Sequence, residues 1–87
     1  MTASSSITFK INGVTLALSA QEVRTRLSAA EPEPLREHAV QVDGTLYPAK
    51  QAFALATGLD RLDFTTNQAR AQLRKLGFPL IRVSNAP

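Results

Sequence analysis

Asn67, Arg70 and Arg74 recur at intervals of three and four residues, with Lys75 next to the last of them, so a helix through this stretch sets them on one face. Asn and Arg carry flat forks of donors and acceptors that match adenine and guanine edges in the major groove. Arg70 and Arg74 repel each other at this spacing by roughly 0.2–0.5 kcal/mol, which a phosphate or a guanine edge would relieve. Thr65, Thr66 and Gln68 open the same stretch. The backbone N–H groups and hydroxyls of a helix start there suit a phosphate, while Gln68 joins Asn67, Arg70 and Arg74 toward the bases. Tyr47 and Lys50 lie ahead of this unit and could hold a DNA backbone; Arg82 follows it and could add a wing contact. Tyr47 reads equally well as a ring at the edge of the core, Lys50 as a solvated lysine, and the whole basic face as one that merely keeps the protein in solution.

Other chemistries lack their residues. The chain has no cysteine, which removes disulfides, cysteine-based zinc sites and thiol catalysis. His38 is the one histidine, too few for a typical zinc site, and no strand–turn–helix elbow holds a serine beside it. Asp60 and Asp63 stand in a turn, where aspartate is common for local hydrogen bonding. Gly13, Gly44, Gly58 and Gly77 each end an element, and none belongs to a phosphate-cradling loop. An enzyme is not expected, nor is a metal or other cofactor.

Charge is unevenly placed. Residues 1–44 hold four bases against five acids, whereas residues 45–87 hold six bases (Lys50, Arg61, Arg70, Arg74, Lys75, Arg82) against Asp60 and Asp63. A near-neutral half followed by a basic half points to a face built for an anion. No apolar run approaches the ~20 residues of a membrane span. The opening Met1-Thr2-Ala3-Ser4-Ser5-Ser6 lacks the basic and apolar regions of a secretory signal. A cytoplasmic, nucleoid-associated protein is the expectation, with no membrane partner.

The elements that must position these side chains are marked along the chain. Ile7, Phe9 and Ile11, then Val14, Leu16 and Leu18, alternate with smaller or polar residues on either side of Asn12-Gly13, the signature of a type I′ hairpin. Ser19 to Glu22 forms a capping box stapled by Leu18 and Val23, and Ala20, Val23, Leu27 and Ala30 give the stripe of a three-turn helix that Glu31-Pro32-Glu33-Pro34 stops. His38–Val42 and Thr45–Tyr47 form a second hairpin around Asp43-Gly44. Pro48 fits the first position of a helix through Ala49, Ala52, Phe53 and Ala56 to a Gly58 cap. Leu59–Phe64 connects to a helix over 66–76, where Thr65 and Gln68 make a second capping box with Phe64 as its staple. Ala69, Leu73 and Leu76 form the buried stripe, and Gly77 ends the helix. Leu80–Val83 is a closing strand.

The stretch Val42-Asp43-Gly44-Thr45-Leu46-Tyr47-Pro48-Ala49-Lys50-Gln51, continued by Ala56-Thr57-Gly58-Leu59, Asp63-Phe64-Thr65-Thr66, Ala69-Arg70 and Leu73-Arg74-Lys75-Leu76-Gly77-Phe78, resembles the N-terminal head domain of McrA-like, modification-dependent HNH restriction endonucleases and the small stand-alone proteins related to it. The close match covers roughly residues 38–79; the first hairpin and helix agree in pattern. The resemblance implies binding to DNA that contains 5-methylcytosine, with little demand for sequence. The nuclease of that family needs several histidines in its HNH motif, and this chain has one, so the resemblance implies a reader and not a cutter.

The expected fold is therefore a small α+β, winged-helix-like domain over residues 7–83, ordered β-hairpin–α–β-hairpin–α–α–β with a helix-turn-helix-like pair, between flexible residues 1–6 and 84–87. The connector between the paired helices is longer than that of a typical helix-turn-helix. The expected partner is double-stranded DNA, methylated preferred, bound by a monomer or weak dimer. Arg70 or Arg74 would lie beside the added methyl and fork onto the adjacent guanine. Base flipping needs an aromatic pocket; Phe9, Phe53, Phe64 and Phe78 are placed for the core and only Tyr47 is free, so reading in the groove is preferred. The alternative is a protein–protein interaction module that uses the helix pair or the N-terminal hairpin.

Overall fold

Asn12 and Gly13 adopt φ of 50° and 79°, and Asp43 and Gly44 adopt 51° and 82°. Two consecutive positive values are what a type I′ turn requires, and its twist matches that of the strands it joins. The first turn closes β1 (Ser6–Ile11) on β2 (Val14–Ser19), the second β3 (His38–Val42) on β4 (Thr45–Pro48), both antiparallel. The structure, a computed structural model, describes residues 6–35 and 37–83. The segments expected to be flexible, 1–6 and 84–87, lie outside those residues except for Ser6, which instead opens β1.

Helix α1 (Ala20–Leu27) starts with both hydrogen bonds of the Ser19–Glu22 capping box, and Leu18 and Val23 are buried on either side of it. It is shorter than its apolar stripe predicts. Ser28 caps it, the Ala30 N–H turns back to the Leu27 carbonyl at 3.0 Å, and Ala30 lies outside the helix. Tertiary structure sets this end ahead of the prolines: the Tyr47 hydroxyl donates to the Leu27 carbonyl at 3.0 Å.

Helix α2 (Ala49–Thr57) follows β4 without a break. Pro48 is not its first residue but its cap; ψ of 137° keeps Pro48 extended as the last residue of the strand, a position where a missing N–H is tolerated. After Gly58 comes a short 3-10 turn, Arg61–Asp63, then α3 (Thr66–Lys75), whose Thr65–Gln68 capping box is complete. Gly77, with φ of 92°, sends its N–H to the Arg74 carbonyl while the Phe78 N–H reaches Leu73. This paired bonding is a Schellman turn. It swings Phe78 back into the core and launches β5 (Leu80–Arg82) alongside α3.

The three-stranded sheet runs β4-β3-β5, all antiparallel, and the β1–β2 hairpin is a separate sheet. The element order is thus the expected one, with three α-helices and antiparallel sheets in a small α+β domain. Phe53 lies at the centre of the core, tilted against Phe9 at 5.5 Å and edge-on to Phe64 at 4.8 Å between ring centroids. Val23, Leu27, Val40 and Leu73 are fully buried around it.

Gln51 is a buried polar side chain with a structural task. Its Nε2 donates to the Glu31 carbonyl at 2.8 Å and its Oε1 accepts from the Glu33 N–H at 2.9 Å, so one amide clamps the proline-rich strap as a neighbouring strand would. Arg61 adds a two-bond fork onto the Glu33 carboxylate. Those hydrogen bonds hold the Glu33 carboxyl below its ordinary value and raise that of Arg61. The Arg61–Glu33 pair faces water and contributes little. The buried clamp matters more: Gln51→Ala leaves two backbone groups without partners and should cost about 1–3 kcal/mol. Urea unfolding measures this; a midpoint equal to that of the parent would show the strap to be held by its prolines alone.

Candidate functional site

Helix α3 presents two separate sides. Ala69 and Leu73 are buried, whereas Asn67, Arg70 and Arg74 share another face, as their spacing predicts, and that face lies beside Leu80 of β5. Asn67, Arg70, Ala71, Arg74 and Leu80 line one depression of about 170 Å³. Arg70 and Arg74, now with Phe78, Pro79 and Leu80, line an adjoining one of about 420 Å³. The Schellman turn is what brings this apolar trio beneath the two guanidiniums. No carboxylate among the described residues lies within ion-pairing distance of Arg70 or Arg74, although Arg24, Arg61 and Arg82 are each paired.

A third depression, about 250 Å³, lies at the start of α2 and α3 and is lined by Glu37, His38, Pro48, Ala49, Lys50 and Thr66. Lys50 lays its ammonium over the Phe64 ring, 5.7 Å from the centroid. Thr66 and Arg70 are one turn apart on α3. Leu80 and Arg82 share a face of β5, as alternate strand residues do, and Arg82 pairs with His38 across the sheet. The first two depressions share Arg70, Arg74 and Leu80 and form one groove between α3 and β5, whereas the third shares no lining residue with them and lies beyond the N-terminal end of α3, at Thr66.

Several expected contact residues are placed differently. Tyr47 is only 5% exposed, with its hydroxyl spent on Leu27, so it is a core residue and cannot reach a DNA backbone. Gln68 is held in the helix start, its Oε1 accepting from the Thr65 N–H at 2.8 Å, so its amide fork is not aimed at a base. Thr65 reciprocates, its hydroxyl oxygen accepting from the Gln68 N–H at 3.1 Å. Lys75 is exposed but lines none of the three depressions, because its helical phase turns it away from Arg70. Arg82 is exposed, lines none of the three depressions either, and is already engaged, its Nη2 donating to Glu37 at 3.3 Å.

Other residues enter the site unannounced by spacing. Arg24 of α1 lies over the Phe78 ring at 5.6 Å and pairs with Asp43 at 3.5 Å, which puts a third guanidinium at the Phe78 end. Glu37 and His38 enter at the third depression. The sequence marks none of them, since each is brought in by the sheet or by α1 and not by the helix pair.

Among the described residues no group of three or more metal-ligating side chains comes together, and no helix is long and apolar enough to cross a membrane. Fold and groove define a small α+β domain with an arginine-lined seam between its last helix and last strand. The chain belongs to the SCO5918-like family, whose profile matches residues 10–87, from the end of β1 onward. No curated protein and no solved structure matches it.

Proposed function

We propose that this protein binds double-stranded DNA along the α3–β5 groove and reads 5-methylcytosine there, without catalysis. The observation that carries this is the pair of unneutralised arginines, Arg70 and Arg74, set beside the apolar Phe78, Pro79 and Leu80. A methyl group in the major groove needs an apolar surface, and the guanine beside it needs a fork of donors. The groove holds both within one depression. Burying one methyl is worth about 0.8 kcal/mol, so discrimination from that contact alone is a few-fold. The 5-methylcytosine preference itself comes from the resemblance of residues 38–79 to the McrA-like head domains. Asn67 lines the adjoining depression with the same arginines, and Lys50 and Thr66 line the third, where a phosphate of the same duplex would find a cation.

All five aromatic side chains are buried, Tyr47 included, and this supports reading in the groove over flipping a base into a stack. Phosphate contacts by ~3–5 of the groove bases imply a log–log salt slope of roughly −3 to −4.5. Fluorescence anisotropy with methylated and plain duplexes at a series of salt concentrations measures that slope. Binding that ignores salt, or no binding at all, would overturn DNA as the partner.

A protein-interaction module is the second reading, and one observation favours it. Leu62 is 92% exposed on a turn that is pinned from three sides: the Asp60 carboxylate accepts from its N–H at 2.8 Å, Asn12 donates to the Asp63 carbonyl at 3.0 Å, and Arg61 is forked onto Glu33. Held there, the Leu62 side chain offers a partner one apolar anchor, a single residue and not a patch. The same anisotropy series decides between the two, since a protein module gives no salt-dependent duplex binding.

A further inference from the structure

Glu37 is the only carboxylate among the residues that line the three depressions. Its two oxygens are approached from different strands. Arg82 of β5 places Nη2 3.3 Å from one, and His38 of β3 places Nε2 3.6 Å from the other. Arg82 and His38 are themselves register partners, so the sheet sets both side chains on one side. The Glu37 carbonyl accepts from the Val83 N–H at 2.9 Å, which fixes the backbone that carries the carboxylate. The Glu37 carboxylate thus meets the Arg82 guanidinium, with the His38 ring close by, in the depression that Lys50 also lines.

We infer that Glu37 occupies a phosphate seat: its carboxylate is an internal anion that a backbone phosphate of DNA must displace from Arg82. This rests on the α3–β5 groove being a DNA site and says what happens where the bound duplex passes Arg82. The Arg82 and Glu37 side chains are 76% and 63% exposed, so their pair is solvated, screened and easily exchanged. A phosphodiester offers Arg82 the same geometry as a carboxylate, two oxygens for one planar fork. Glu37 also lies within a Debye length, about 8 Å at physiological salt, of any phosphate seated on Arg82, and repels it. The consequence is a lowered affinity for every duplex alike, because a phosphate carries no base information. Discrimination is left to the Arg70–Arg74 end.

Glu37→Gln in the full chain tests this, together with Arg82→Ala and the double variant, each first shown to melt like the parent. Binding of plain and methylated duplexes is compared at one fixed salt concentration. Glu37→Gln should tighten both by about fivefold and leave their ratio unchanged. In the Arg82→Ala background the same substitution should gain less than about twofold, since the seat no longer has its principal cation. Unchanged or weaker binding by Glu37→Gln, or an equal gain with and without Arg82, would overturn the seat while leaving DNA binding intact. Failure of the parent and all three variants to bind any duplex would overturn the DNA reading, and this inference with it.

Discussion

Phe53→Ala should remove about 3–5 kcal/mol of stability, the range for truncating a buried aromatic ring. Phe53 is fully buried and touches a ring from each side, Phe9 of the first hairpin and Phe64 ahead of α3. It therefore joins the sheet that does not line the groove to the helix that does. Aromatic pairs in tilted and edge-on geometry add about 0.5–1.5 kcal/mol beyond area burial, which places this site toward the upper end of the range. A chain of 87 residues has a total stability of roughly 4–13 kcal/mol, so the variant stands near the edge of folding. Phe53→Leu fills most of the space, loses the ring contacts and should cost less than half as much. Chemical denaturation of parent and both variants measures the series. An alanine variant within about 1 kcal/mol of the parent, roughly a fivefold change in the folding equilibrium, would mean that the first hairpin and α3 are not joined through this ring.

Much of this architecture is written locally. The Asn12-Gly13 turn, the capping boxes at Ser19 and Thr65 and the Gly77 stop each depend on a few neighbouring residues, and all stand where the sequence puts them. The face shared by Asn67, Arg70 and Arg74 is legible for the same reason, since helical phase follows from spacing alone. What fails to be legible depends on distant partners. Tyr47 has an amphipathic ring that suits a DNA backbone or a core edge equally, and only the Leu27 carbonyl, twenty residues away, decides between them. Gln51 looks like any exposed helix residue until the strap is folded over it. Gln68 was a base reader by residue type, but the capping box it completes takes its oxygen; one side chain cannot fill both roles at once. The apolar lining of the groove is hidden in the sequence because Phe78, Pro79 and Leu80 read as helix end and strand start. Their place beside Arg70 and Arg74 comes from the turn between.

That placement separates two kinds of contact that residue type alone does not, and the separation can be measured. Arg70→Ala or Arg74→Ala should cost about 1–3 kcal/mol on a methylated duplex and narrow the gap between methylated and plain DNA, since a guanidinium forked onto guanine beside the methyl reads a base. Arg→Lys at the same positions keeps the charge but loses the planar fork, so it should recover part of the plain-duplex affinity while the methylated-to-plain ratio stays narrowed. Lys50→Met keeps the aliphatic stem over Phe64 and removes only the ammonium. A phosphate contact is blind to sequence, so this variant should weaken both duplexes by the same factor and make the salt slope shallower by about 0.9. Arg70 and Arg74 are neighbours on one face, so their losses need not add, and the double variant belongs in the series. Melting each variant first separates binding from folding. If the methylated-to-plain ratio is the same for the parent, Arg70→Ala and Arg74→Ala, the groove between α3 and β5 holds DNA without reading it, and the reader must lie on another face.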